Sequence, residues 1–189
     1  SGSYLITTKT ILSAMYVLNT QFFSQGDTAI TNSFKGGLRQ YLTDQLHVDG
    51  IAGVEIINSY DDQTYTQPTF MAAITNDINE KTSFSLSFLK QYYMTDYSQD
   101  LFNKLQISAN FVSQLLKRLR IEGGVFYGQG KYVIVDITDN LFGAQIALVY
   151  EISDILNFSI QYINSITTSD YRLREYNKNV IIASLNARF

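Results

Sequence analysis

Apolar and polar residues alternate strictly along much of the chain. In residues 83–88, Phe84, Leu86 and Phe88 alternate with three serines. Residues 156–162 show the same pattern, and so do residues 46–56 apart from Ile51. A period of two predicts strands with one apolar and one polar face, because the same spacing would scatter apolar residues all round a helix. The chain is therefore predicted to be all-β.

Short polar breaks interrupt this pattern near residues 42–45, 76–80, 116–118 and 152–155. Their spacing of about 35 to 38 residues has room for two tilted strands and a longer connection. The longer polar connections are predicted near residues 19–32, 59–64, 95–100, 128–140 and 165–177. The repeat also predicts strands near residues 7–19 and 33–42, giving about ten in all, an even number that lets the first and last strands pair antiparallel.

Tight turns at one end and longer loops at the other are typical of outer-membrane barrels. Charged residues recur on the polar face, and aromatic residues gather near strand ends as in an interfacial girdle. These aromatic residues are Tyr41, Tyr92, Tyr150, Tyr162 and Phe189. We therefore predict one domain over residues 1–189, an antiparallel transmembrane β-barrel of about ten strands with short periplasmic turns and longer extracellular loops. The apolar face would meet lipid and the polar face would line the lumen. The alternative is a soluble β-sandwich or lipocalin-like barrel, in which the apolar face forms the core.

Composition changes this interpretation little. The 189 residues include 14 Tyr, 12 Phe and one Pro, with no Cys, so disulfide and thiolate-metal chemistry are excluded. A net charge of −3 gives no reason to expect nucleic acid as a partner. No apolar run approaches the roughly 18 residues of a transmembrane helix. Residues 1–3 resemble a cloning remnant, so we expect that any native leader peptide has been removed.

The end of the chain carries a family resemblance. Residues 180–189 alternate apolar and polar positions and finish on Phe189. This pattern resembles the assembly signal that is read by the insertion machinery for outer-membrane barrels. Residues 150–162 and 169–179 are similar to the ends of β-barrel porins associated with exopolysaccharide export clusters. The resemblance implies a location in the bacterial outer membrane, contact with its lipid and with the barrel-assembly machinery, and porin-like passage or export of polar solutes or polysaccharide.

Charged and polar residues predicted to line the lumen are the candidate functional residues. They are Lys35, Arg39, His47, Asp49, Glu55, Lys104, Arg118, Arg120, Glu122, Glu151 and Arg188. Arg118, Arg120 and Glu122 are expected on one side of one strand, with Lys104 opposite on its neighbour. They form either a constriction that selects polar or charged solutes, or a set of mutual salt bridges that fills a narrow lumen. Pairing is expected in both cases, because an unpaired charge in a dry lumen is costly.

Enzyme chemistry has little support in the sequence. His47 is the only histidine, and Asp49 shares its face, so a His–Asp pair is possible. A hydrogen-bonded luminal histidine accounts for the same pattern. We expect no catalytic residue, no cofactor and no metal site. Three hypotheses follow: a porin-like channel, an anchoring barrel that binds a periplasmic or surface partner without an open pore, and an outer-membrane hydrolase.

Overall fold

The computed structural model describes residues 2–22, 28–58, 63–95, 100–153 and 155–187. These residues form eleven β-strands and one short 3-10 helix, Arg172–Arg174. The strands are β1 Gly2–Thr7, β2 Thr10–Phe22, β3 Thr28–Tyr41, β4 Leu46–Asn58, β5 Thr64–Asn79, β6 Thr82–Met94, β7 Leu101–Leu116, β8 Leu119–Tyr132, β9 Thr138–Ser153, β10 Leu156–Ser169 and β11 Tyr176–Ala187. Among the described residues, no helix is long and apolar enough to cross a bilayer.

The strands form one antiparallel sheet in sequence order, from β1 to β11. This meander confirms the prediction of an all-β antiparallel fold. The sheet has one strand more than predicted, because Gly2–Thr7 pairs with the start of β2. Three consecutive apolar residues, Tyr4, Leu5 and Ile6, hide its alternation. With eleven strands, β1 and β11 run in the same direction, and no ladder joins the described residues of these two strands.

Short side-chain-capped turns join the strands at one end, here called the turn end. Asn79 Oδ1 accepts from the Lys81 amide at 2.9 Å, and Thr43 Oγ1 accepts from the Leu46 amide at 3.0 Å. Such local bonds favour tight turns. The opposite, loop end has the longer connections. Residues 95–100 separate β6 from β7 as predicted, whereas the connections predicted at residues 19–32, 128–140 and 165–177 are shorter than predicted. For example, β8 continues to Tyr132 and β9 begins at Thr138, because polar residues beyond the apolar belt still pair in the ladder.

The apolar face of the sheet is the exposed one. Along β7, Ile107 is 50% exposed and Phe111 40%, whereas the intervening Ser108 and Asn110 are partly shielded. The total accessible surface is 12008 Å². A compact soluble protein of 21.5 kDa would expose about 9,200 Å². Large apolar side chains exposed along one face, with polar groups turned inward, are the arrangement of a barrel in lipid and the reverse of a soluble sandwich.

The wall of the sheet splits between β5 and β6 at the loop end. Their ladder stops at the Phe70–Lys90 pair, although β5 starts at Thr64 and β6 continues to Met94. The end of β6 and the start of β7 instead turn into the lumen. There Met94 and Leu101 pack against inward-facing residues of β3 and β4 in a buried cluster. We call residues 91–94 and 100–102 the inward arm.

Candidate functional site: the charged lumen

Arg39 and Asp49 form an ion pair across β3 and β4 near the turn end. They are register partners, and Arg39 Nε and Nη2 donate to the two carboxylate oxygens at 2.6 and 3.2 Å. His47 Nε2 lies 3.5 Å from Asp49 Oδ2, and its ring centroid lies 5.4 Å from that of Tyr41. The predicted His47–Asp49 proximity is present. Because Arg39 engages both oxygens of Asp49, however, the group is arranged as an ion pair with a neighbouring histidine.

A second ion pair lies deeper in the lumen and connects to the inward arm. Lys35 Nζ donates to Glu55 Oε1 at 2.7 Å. The other Glu55 oxygen accepts from the backbone amide of Tyr92, on the arm, at 3.3 Å. Glu55 is only 6% exposed, so its charge depends on these donors. The carboxylate therefore joins the wall of the barrel to the arm.

Of the three charged residues predicted to share one strand, two lie on β8. Arg120 Nε and Glu122 Oε1 form an ion pair at 2.7 Å, and both side chains are about 40% exposed, at 42% and 40%. Arg118 does not share their strand as predicted. It lies in the turn before β8, where its Nη1 donates to the Ile152 carbonyl at 3.3 Å. Glu151, near the end of β9, is exposed at the same end of the barrel.

Lys104 does not lie opposite Arg118, Arg120 and Glu122, as the sequence led us to expect. In the β7–β8 ladder its partner is Gly130, whereas Arg120 pairs with Gln114. Ten positions of extended strand separate the two sites, about 33 Å. The prediction was wrong because the tight turn between β7 and β8 sets the register, which places Lys104 at the loop end of the lumen.

The inward arm carries residues that sequence reasoning did not single out. On one side, Met94 and Leu101 are 2% and 0% exposed and pack against Ala29 and Ile57. On its other side, Tyr93 and Phe102 face a cavity of about 280 Å³ between the arm and strands β8 to β10. The arm therefore fills part of the lumen at the loop end, and this cavity remains beside it.

Two buried carboxylates bind the β8–β9 and β10–β11 connections. Asp100, which is fully buried, accepts from the amides of Ile134 and Val135 at 2.9 to 3.0 Å. Asp139 is 2% exposed and lies 2.9 Å from Arg174 Nη2, next to the 3-10 helix. The Arg174 guanidinium also stacks 4.4 Å from the ring centroid of Tyr132. These contacts hold the β8–β9 and β10–β11 connections against the mouth of the lumen.

Two predicted residues, Arg188 and Phe189, lie outside the described residues. Within the described part of the chain, no group of three or more His, Asp or Glu side chains could hold a metal ion.

Comparison with known proteins identifies a solved structure of similar fold. No family model matches the chain, and no curated protein matches it. Among solved structures, the NanC porin matches with a TM-score of 0.53 and 14% identity, over 96% of this chain and 95% of that one. At this identity the match shows the fold alone. It confirms the predicted fold class, an antiparallel transmembrane β-barrel.

Proposed function

We propose that this chain is a channel of the bacterial outer membrane that passes small polar solutes through a narrow, charged lumen. The observation that carries the proposal is the orientation of the two faces of the sheet. Apolar side chains cover the outside, and the ion pairs Lys35–Glu55 and Arg39–Asp49 lie inside with their charges matched. A water-filled lumen keeps such groups solvated in a bilayer.

The outer surface supports the membrane location. Towards the loop end, Tyr16 donates to Asn32 Oδ1 and Tyr162 donates to Asn179 Oδ1, each at 2.7 Å. These hydrogen-bonded tyrosines point away from the lumen, where an aromatic girdle meets the headgroup region. Two residues of the predicted girdle face inward instead. Tyr41 contacts His47, and Tyr92 packs against the buried cluster of the inward arm. By the usual topology of such barrels, the turn end faces the periplasm.

The width of the lumen favours small solutes over an intact polysaccharide. A cavity of about 580 Å³ opens at the turn end, bordered by Gln114 and Arg120. At the loop end, the described residues border a cavity of about 280 Å³ beside the inward arm. Export of a polymer would require the arm to leave its cluster. His47 gives no support to an enzyme role, because both oxygens of its neighbour Asp49 are bound by Arg39.

Single-channel recording in planar bilayers tests this proposal. Protein folded in detergent, identified by its heat-modifiable shift on gels, should give a small, stable conductance. The variant Leu101→Ser should give a larger one, because it removes a buried side chain that holds the arm. Leu115→Ser is the matched control, since Leu115 is 53% exposed on the outside and its loss should leave conductance unchanged.

A folded barrel that stays silent in both the native chain and Leu101→Ser would contradict a channel. That result would favour the anchoring role, in which the barrel holds its loops or turns for a partner. A pull-down with periplasmic extract would then look for a protein that binds the turn end.

A further inference from the structure

The cavity beside the inward arm has aromatic walls. Tyr93 and Phe102 lie 5.3 Å apart by ring centroids, and Phe102 lies 4.7 Å from Tyr132. Phe126 lies on the neighbouring wall, with its ring over Gly143. The Phe102 ring packs directly on Gly130 and the Phe126 ring on Gly143, where any larger side chain would displace them. A volume of about 280 Å³ is at the small end of ligand pockets, which suits a molecule with a single ring.

Lys104 supplies a positive charge to this cavity without a matching negative one. Its amino group lies 6.0 Å from the centroid of the Phe126 ring. Among the described residues, no carboxylate lies within the 4.0 Å of an ion pair. The lumen-facing Lys35, Arg39 and Arg120 all have such a partner. Lys104 is therefore the cation of this lumen that remains available to a ligand in the described structure.

The nearby acidic group is already engaged. Asp139 borders the same cavity, but its carboxylate is bound by Arg174 at 2.9 Å. The two charges of that pair cancel, so the cavity keeps the excess positive charge of Lys104. Arg174 also lies over Tyr132, which fixes the aromatic wall at the rim.

We propose that this cavity binds a small monocyclic organic anion. Its carboxylate would accept a charge-assisted hydrogen bond from Lys104 Nζ, and its ring would pack against Tyr93 and Phe126, the more exposed aromatic side chains of the cavity. The site deepens the proposed function, on which it rests for the entry of solute into the lumen. It would concentrate such anions in the lumen beside the inward arm.

Benzoate titration of the detergent-folded protein, followed by ligand-observed NMR, tests the site. Benzoate should bind, and Lys104→Met should weaken binding by at least about tenfold, the effect of losing a charged hydrogen bond. Lys104→Arg should retain most of the affinity. Lys9→Met is the matched control, because Lys9 is exposed in the turn between β1 and β2 and should not affect binding. Benzamide has the same ring without the charge and should bind at least about tenfold more weakly than benzoate.

Benzoate binding that is absent from the folded protein, unchanged by Lys104→Met, or equalled by benzamide would overturn the proposal. The two proposals can fail separately. A barrel that binds benzoate through Lys104 but conducts no ions would retain this site and contradict the channel. A conducting barrel without this binding would do the reverse.

Discussion

The carboxylate of Glu55 on β4 accepts a hydrogen bond from the backbone amide of Tyr92 on β6, at 3.3 Å, across a gap where β5 and β6 no longer pair. The same carboxylate holds Lys35 at 2.7 Å. Glu55 thus takes the place of the missing ladder partner and keeps the inward arm inside the lumen.

Replacing Glu55 by Ala should release the arm and raise single-channel conductance. The change also leaves Lys35 without its partner, so the free energy of unfolding should fall by about 2 kcal/mol. Glu122→Ala is the matched control, because its pair with Arg120 is exposed and should contribute about 0 to 1 kcal/mol. Equal conductance in the native chain and Glu55→Ala would show that this contact does not hold the arm.

Gly130→Ala should destabilise the barrel. A Cβ at this position would collide with the Phe102 ring, which lies directly over the glycine. Moving a packed ring costs about 1 to 3 kcal/mol, and the urea midpoint of the folded band on gels would measure it. Gly50→Ala is the control, since a Cβ there meets open space. A Gly130→Ala midpoint equal to that of Gly50→Ala would contradict the packing described for the arm.

The pKa of the Asp136 carboxyl should lie below its usual value. The hydrogen bond from Lys131, with Nζ 2.7 Å from Asp136 Oδ1, and the charge of Lys131 both lower it. Because the folded-state pKa is depressed, the pair stabilises the folded state fully above the unfolded-state pKa of about 3.9. This stabilisation is lost as the pH falls through the folded-state pKa. Carbon-detected NMR of the carboxyl would follow this titration.

Lys131→Met should return the Asp136 pKa to its ordinary range. Asp136→Asn would assign the resonance without disturbing the loop, because asparagine tolerates the backbone φ of 56° at this position. An Asp136 pKa that does not respond to Lys131→Met would show that this exposed pair does not form in solution.

The faces of the strands could be predicted from the sequence, because a period of two assigns each side chain without knowledge of the partners. Arg39 and Asp49 were placed inward in this way, and the register of one tight turn then brings them together. The height of Lys104 in the barrel was predicted wrongly, although the turn near residues 116–118 was predicted correctly. Counting pairs back from that turn places Lys104 opposite Gly130, so the sequence held the register and the face alone was used.

The inward arm could not be predicted, because it follows from tertiary packing. Met94 and Leu101 look like ordinary strand residues, and only their contacts with Ala29 and Ile57 show that this hairpin leaves the wall. Asp100 offered a weak signal, as a lone acidic residue directly before an apolar strand. The two backbone amides that donate to it, from Ile134 and Val135, lie 34 and 35 positions further along the chain.

Lipid contact by the apolar face and a lumen lined by the polar face can be measured directly along one strand. The chain has no native cysteine, so single cysteines at positions 104 to 111 of β7 can carry a spin label without interference. Electron paramagnetic resonance in lipid nanodiscs would compare label relaxation by oxygen, which partitions into lipid, and by a water-soluble nickel chelate. We expect strict alternation, with labels at 105, 107, 109 and 111 relaxed by oxygen and labels at 104, 106, 108 and 110 relaxed by nickel. Alternation of the opposite phase, or labels relaxed by nickel on both faces, would contradict this orientation of the faces.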